Sequence, residues 1–170
     1  MTYSTVDKDI DHSLGFPIII WNAPRRETDV GEAIFDVSPR RYQHAALVEL
    51  VHTLRPWTGA NVEFVRKWLR DSMEAFGERV DVSKPAVHKW EQKGDSPTEM
   101  AKGTEYLLRV QVAHELHEAN VIDAGTFQRL VTDAMHFDRQ QEPEPIELDG
   151  MDLVDDDWGN DTTKRNTATG

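Results

Sequence analysis

The segment 58–94 constrains the fold more than any other stretch, because it carries start and stop signals for three short helices in immediate succession. Thr58 is placed to cap a first helix over 59–71, with Val62, Val65, Trp68 and Leu69 on its inner face. Ser72 then caps a second helix, from Met73 to about Val80. Asp81 falls where the chain must turn sharply, and Asp is among the few side chains that tolerate the left-handed region. Val82 reads as a core plug, Ser83 as the cap of a third helix running to about Gln92, and Gly94 as its stop. Two short helices joined by a tight turn cross steeply and present the second one outward. Such a crossing needs a small contact, and Gly77 opposite Val87 supplies it, with Phe76 and Trp90 filling the wedge.

The run Ser72-Met73-Glu74-Ala75-Phe76-Gly77-Glu78-Arg79-Val80-Asp81-Val82-Ser83-Lys84-Pro85-Ala86-Val87-His88-Lys89-Trp90-Glu91 resembles the helix-turn-helix of Cro/phage-repressor (XRE-like) regulators. Thr58 to Leu69 resembles the first helix of the subgroup found in MqsA-type antitoxin DNA-binding domains, and a weaker likeness extends from Ser38 to about Leu116. The resemblance implies a sequence-specific transcriptional regulator, a repressor, that lays helix 83–92 in the major groove of duplex DNA. Ser83, Lys84, Pro85, His88 and Lys89 are then the candidate DNA-binding residues on that helix, with Arg66, Lys67, Lys93 and Lys102 holding the flanking backbone. It also implies a homodimer on an inverted repeat, with half-sites roughly 34 Å apart. The family usually has Gln where Met73 stands, often Ala for Gly77 and Gly for Asp81. Pro85 and Ala86 occupy positions that often hold Gln, Ser or Thr; neither can donate to a base edge, though both can pack on a thymine methyl. Two other readings compete. One is an antitoxin that represses its own operon while another segment masks a toxin protein. The other is an interaction protein with a vestigial helix-turn-helix and a tail that mimics DNA.

A net charge of −12 argues against a simple nucleic-acid binder unless the charge is unevenly spread. It is. Residues 58–110 carry nine acids and nine bases, whereas residues 138–170 carry ten acids and only three bases. The middle of the chain is therefore free to present a locally basic face.

The flanks read more simply. Residues 1–15 are polar and suggest a flexible arm; residues 16–22 and 32–37 suggest a small N-terminal β-hairpin with a polar turn at 24–29. Ser38-Pro39 opens a helix over about 39–54, burying Leu47, Leu50, Val51 and Leu54 and ending at Pro56. Ser96-Pro97-Thr98-Glu99 reads as a capping box for a helix over about 97–119, with Tyr106, Leu107, Val110 and Leu116 on one stripe. Asp123 caps a last helix with Phe127, Leu130, Val131 and Met135. From Asp138 onward the pattern stops, and 138–170 reads as a disordered acidic tail whose removal leaves the fold intact. The expectation is a mainly α chain: an arm (1–15), a hairpin plus helix for dimerisation (16–57), a five-helix XRE-like helix-turn-helix domain (58–137) and the tail. The helices after residue 97 and the apolar strand at 16–21 are the candidate dimer surfaces.

The absence of cysteine excludes disulfides, thiol nucleophiles and cysteine metal sites. The longest apolar run, Phe16 to Trp21, is strand-sized, so no membrane partner is expected; no signal peptide is visible, and a cytoplasmic address follows by default. His114-Glu115-Leu116-His117 lacks metalloprotease spacing and a third ligand, and reads as a solvated helix face. Asp155-Asp156-Asp157 lacks the interleaving of a calcium loop. No catalytic constellation, cofactor site or metal site is expected.

Overall fold

The computed structural model describes residues 2–160. Among them are six helices and a small four-stranded sheet. Strand β1 (Tyr3–Asp11) runs antiparallel to the central strand β2 (Ile18–Glu27). On the other edge of β2, β3 (Ala33–Phe35) pairs antiparallel with Arg25 to Glu27, and β4 (Ile146–Asp149) pairs parallel with Ile18 to Trp21. The helices are α1 (Pro39–His52), α2 (Gly59–Trp68), α3 (Met73–Glu78), α4 (Lys84–Glu91), α5 (Lys102–Glu118) and α6 (Ala124–Asp133).

Helix α1 starts where its local chemistry says it should. The Ser38 hydroxyl accepts from the Arg41 N–H, and Pro39 stands in the first turn. Its buried stripe is Tyr42, Ala46, Leu47, Leu50 and Val51, which packs against β4 and α5. Leu54, expected on that stripe, lies past the helix end and is exposed. The core is continuous. Phe16 meets Phe64 edge to face at 5.4 Å, joining the sheet to α2, and Trp57 is fully buried with its indole N–H on the Leu50 carbonyl at 2.7 Å.

Four expectations are corrected. Residues 3–11 are not an arm: their alternation pairs along the whole length of β2, so the hairpin becomes a four-stranded sheet. The turn after β2 lies at 28–32, because Pro24 to Glu27 continue the strand. The acidic tail is not disordered through residue 160. Ile146 and Leu148 alternate with Glu147 and Asp149, burying the apolar pair, while Leu153 and Val154 are buried just beyond. The part of that expectation at 161–170 lies outside the described residues. Finally, the helix expected from Pro97 begins at Lys102. Thr58 and Pro97 form a β-bridge, Thr98 donates to the Trp57 carbonyl, and Glu99 turns through a positive φ of 62°. Tertiary pairing takes the backbone that a capping box would use.

The inward face of α5 is also rotated from expectation. Leu107 is half exposed, and the buried set is Glu105, Leu108, Arg109, Val112, Ala113 and Leu116. A salt bridge occupies this core: Arg109 Nη2 lies 2.9 Å from Glu105 Oε2, and neither residue is more than marginally exposed. In α6, Asp123 caps as expected and Leu130 is buried, but Met135, expected on the same stripe, lies in the 3-10 turn after the helix and is exposed.

One contact between sheet and helix is pH-dependent. Burial alone would raise the Asp11 carboxyl, but hydrogen bonds from Ser13 and the Tyr42 hydroxyl (2.7 Å) outweigh it and hold the group below its usual value. A depressed carboxyl stabilises the fold above its unfolded pKa, and this stability is lost as pH falls through the folded value. Asp11→Asn is therefore expected to lower the melting temperature at neutral pH and to flatten its fall below about pH 4. Melting curves of the two proteins with parallel acid limbs would refute the assignment.

Candidate nucleic-acid interface

Helices α2, α3 and α4 form the unit expected from the capping pattern. Thr58 and Asn61 exchange side-chain and backbone bonds in a full capping box; Ser72 and Ser83 each accept from the N–H three residues on. The link from α3 to α4 turns at Asp81, with φ 56°, and Gly94 ends the unit at φ 57°. Close approach requires glycine at two places. A Cβ on Gly77 would lie 2.5 Å from the Val82 carbonyl oxygen and 3.3 Å from the Val87 side chain, and one on Gly59 would lie 2.4 Å from the Trp90 carbonyl. Val87 and Phe76 are fully buried beneath this crossing, while Trp90 is only partly so.

Helix α4 fully buries Val87 and half-buries Ala86, Trp90 and Glu91 on its inner side. Ser83, Lys84, Pro85, His88 and Lys89 are all exposed and share one side by their i, i+3 and i+4 spacings. The side chains of Lys84, His88 and Lys89 make no hydrogen bond or ion pair among the described residues. Gln92 is exposed one turn beyond His88; the same i+4 spacing would have found it in the sequence.

The flanking cations divide differently. Arg66 is committed to structure: its guanidinium forks onto Glu91, donates to the Asp71 carbonyl at 3.0 Å and is largely buried, so it locks α2 to α4. The Glu91 carboxylate hydrogen bond, partly opposed by desolvation, raises Arg66 further above its ordinary value. Lys67 pairs along α2 with Glu63 at 2.7 Å and lines an open groove with Leu14, Phe64 and Trp68. Lys93 reaches Glu99 at 3.3 Å, and Lys102 sits over the Phe137 ring. Arg79 pairs with Asp71 and exchanges hydrogen bonds with Gln111, fastening the turn to α5. Arg70 was not anticipated; it is exposed, unpaired among the described residues, and left-handed at φ 59° just before the Ser72 cap.

The segment 58–94 carries seven basic and six acidic residues. Ion pairing removes Arg66, Lys67 and Arg79 together with Glu63, Asp71 and Glu91. Lys93 pairs outside the segment with Glu99, so what stays exposed and unpaired among the described residues is Lys84 and Lys89 on α4 and Arg70 before α3, against Glu74 and Glu78 on α3 and Asp81 at the turn. Two of the three unpaired cations thus lie on the exposed side of α4, and the third, Arg70, precedes α3.

Elsewhere, His117 packs on the Phe127 ring, and the described residues contain no group of three or more His, Asp or Glu side chains able to hold a metal ion. No described helix is long and apolar enough to cross a membrane. No protein-family model matches the chain, and comparison with curated proteins and with solved structures gives no match.

Proposed function

We propose that the protein is a sequence-specific duplex-DNA-binding regulator of the Cro/phage-repressor type, acting as a repressor through α4 in the major groove. The observation that carries this reading is the exposed side of α4. The side chains of its two lysines and His88 have no hydrogen-bond or ion-pair partner among the described residues, although every neighbouring arginine or lysine except Arg70 is already engaged. Long cationic side chains left unpaired on a helix that is rigidly held at its inner face suit a groove lined with phosphates and base edges. Lys84 and Lys89 reach phosphate or a guanine edge, His88 a base edge, and Pro85 packs against a thymine methyl. Arg70 contacts the backbone beside α3. Arg66 belongs to the scaffold, not to the contact.

Selection of bound duplexes from a random pool tests the reading directly, because a sequence-specific binder enriches a motif. With that motif in hand, Lys84→Ala and Lys89→Ala are expected to weaken binding by about 1–3 kcal/mol if they touch bases, relaxing one position each. A phosphate contact would instead weaken binding to all sequences and reduce the salt slope by about one. Retained folding, checked by circular dichroism, with undiminished affinity in both variants would overturn the assignment of this face.

A further inference from the structure

One face of the sheet is buried and, among the described residues, the other is largely exposed. Ile18 and Ile20 of β2, with Ile146 and Leu148 of β4, lie in the core. Strand alternation therefore sends their neighbours to the opposite side, and the register puts them in rows: Ile10, Ile19 and Glu147, then Lys8, Trp21 and Asp149. Ile10 is 53% exposed and Trp21 41%. A sheet face that meets water ordinarily alternates to polar residues there; this one carries isoleucine and tryptophan at its centre.

Charge frames that apolar centre asymmetrically. Lys8 lies on the β1 side with its ammonium 5.2 Å from the Trp21 ring, and Glu147 on the β4 side accepts from the Trp21 indole N–H at 3.2 Å. A two-fold axis parallel to the strands reverses the strand order, so a second copy would bring its β1 over β4 of the first. Lys8 of each copy then meets Glu147 and Asp149 of the other, twice, while Ile19 and Trp21 stack on their equivalents. An axis across the strands would set Lys8 on Lys8. Edge pairing of β1 with itself is opposed by the run Asp7-Lys8-Asp9, the kind of charged edge that blocks strand addition.

We propose that this sheet face is a homodimer interface, two sheets packed face to face with aligned strands. It would pair two DNA-reading units, but it does not rest on DNA binding and is measured without DNA. Sedimentation equilibrium of the full-length protein is expected to give a dimer. Ile10→Asp, on an exposed edge strand, should raise the dimer dissociation constant about tenfold or more. Lys8→Glu and Glu147→Lys should each raise it by about tenfold through facing like charges, and the double variant should return it towards the wild-type value. Circular dichroism checks folding; should Glu147→Lys unseat β4, Ile10→Asp and Lys8→Glu still decide. A monomeric wild-type protein, a dimer indifferent to Ile10→Asp and Lys8→Glu, or a folded double variant without recovery would each overturn the interface.

Discussion

Arg109→Ala is expected to cost about 3–5 kcal/mol of stability, enough to unfold much of the protein, because it strands Glu105 in the core. Arg109 is fully buried and binds in four directions. Its guanidinium donates to the carbonyls of Val51, Thr53 and Arg55, which the end of α1 and the following loop leave without helical partners, and to the Glu105 carboxylate. Its carbon lies 4.3 Å from the centre of the Phe137 ring. Glu105 uses its other oxygen for the Trp57 N–H at 2.9 Å. The pair thus clamps the end of α1 and the start of the β-bridge onto α5. Lysine cannot replace it, since one ammonium lacks the planar fork that reaches carbonyls on both sides.

Burial pushes Glu105 above the ordinary carboxylate range, against the opposing pull of Arg109, and it lowers Arg109. Removing the arginine leaves burial unopposed. A carboxyl whose folded pKa is raised contributes stability that is present at low pH and lost as pH rises through that value. The variant should therefore be least stable at neutral pH and recover part of the loss on mild acidification, while Arg109→Ala combined with Glu105→Gln should be less damaged than Arg109→Ala alone. Urea denaturation at two pH values measures this. A midpoint for Arg109→Ala equal to that of the wild type would show the pair to be dispensable.

What was readable in the sequence follows from distance along the chain. The caps at Ser38, Thr58, Ser72, Ser83 and Asp123, the turn at Asp81 and the small contact at Gly77 are all decided by atoms within a few residues, and all appear where the local chemistry puts them. The exposed side of α4 follows from those caps by helical spacing. Strands β1 and β4 were illegible for the opposite reason: each buries too little apolar surface to signal a strand, and each is ordered by β2, which lies far from β4 in sequence. The same holds for Ser96 to Glu99, whose local helix-capping signal loses to a bridge with Thr58. Glu105 and Arg109 look like a solvated i, i+4 pair until the fold closes over them. Arg66 looks free in the sequence for a related reason, since its carboxylate partner is on another helix.

Truncation after Phe137 is expected to destabilise the whole protein rather than to release a solvated polyanion. The segment 138–160 supplies four buried apolar side chains: Ile146, Leu148, Leu153 and Val154. Each contributes roughly 1.5–3 kcal/mol on burial, so their sum is comparable to the net stability of a typical domain, about 5–15 kcal/mol. Deletion also strips β2 of its parallel partner at Ile18 to Trp21 and removes the Leu153 carbonyl, which accepts the Ser38 N–H at 2.8 Å ahead of α1. Outside the core, Arg41 holds Asp155 and Asp156, Arg55 holds Glu144, and Trp158 meets Tyr3 edge to face. These exposed contacts add little to stability; the buried four decide. A point substitution separates seating of the segment 138–160 from loss of its mass. Gly150 lies against β2 so closely that a Cβ would be 2.5 Å from the Asn22 carbonyl oxygen and 2.6 Å from the Pro24 ring. Gly150→Ala should therefore unseat the segment beyond β4, giving a lower melting temperature and faster proteolysis near 150–158 while helices α2 to α4 stay protected. Truncation should lower the melting temperature further, and the loss should persist in high salt because it comes from lost packing, not from relieved repulsion. An unchanged melting curve for the truncated protein would mean that β4 does not hold the sheet.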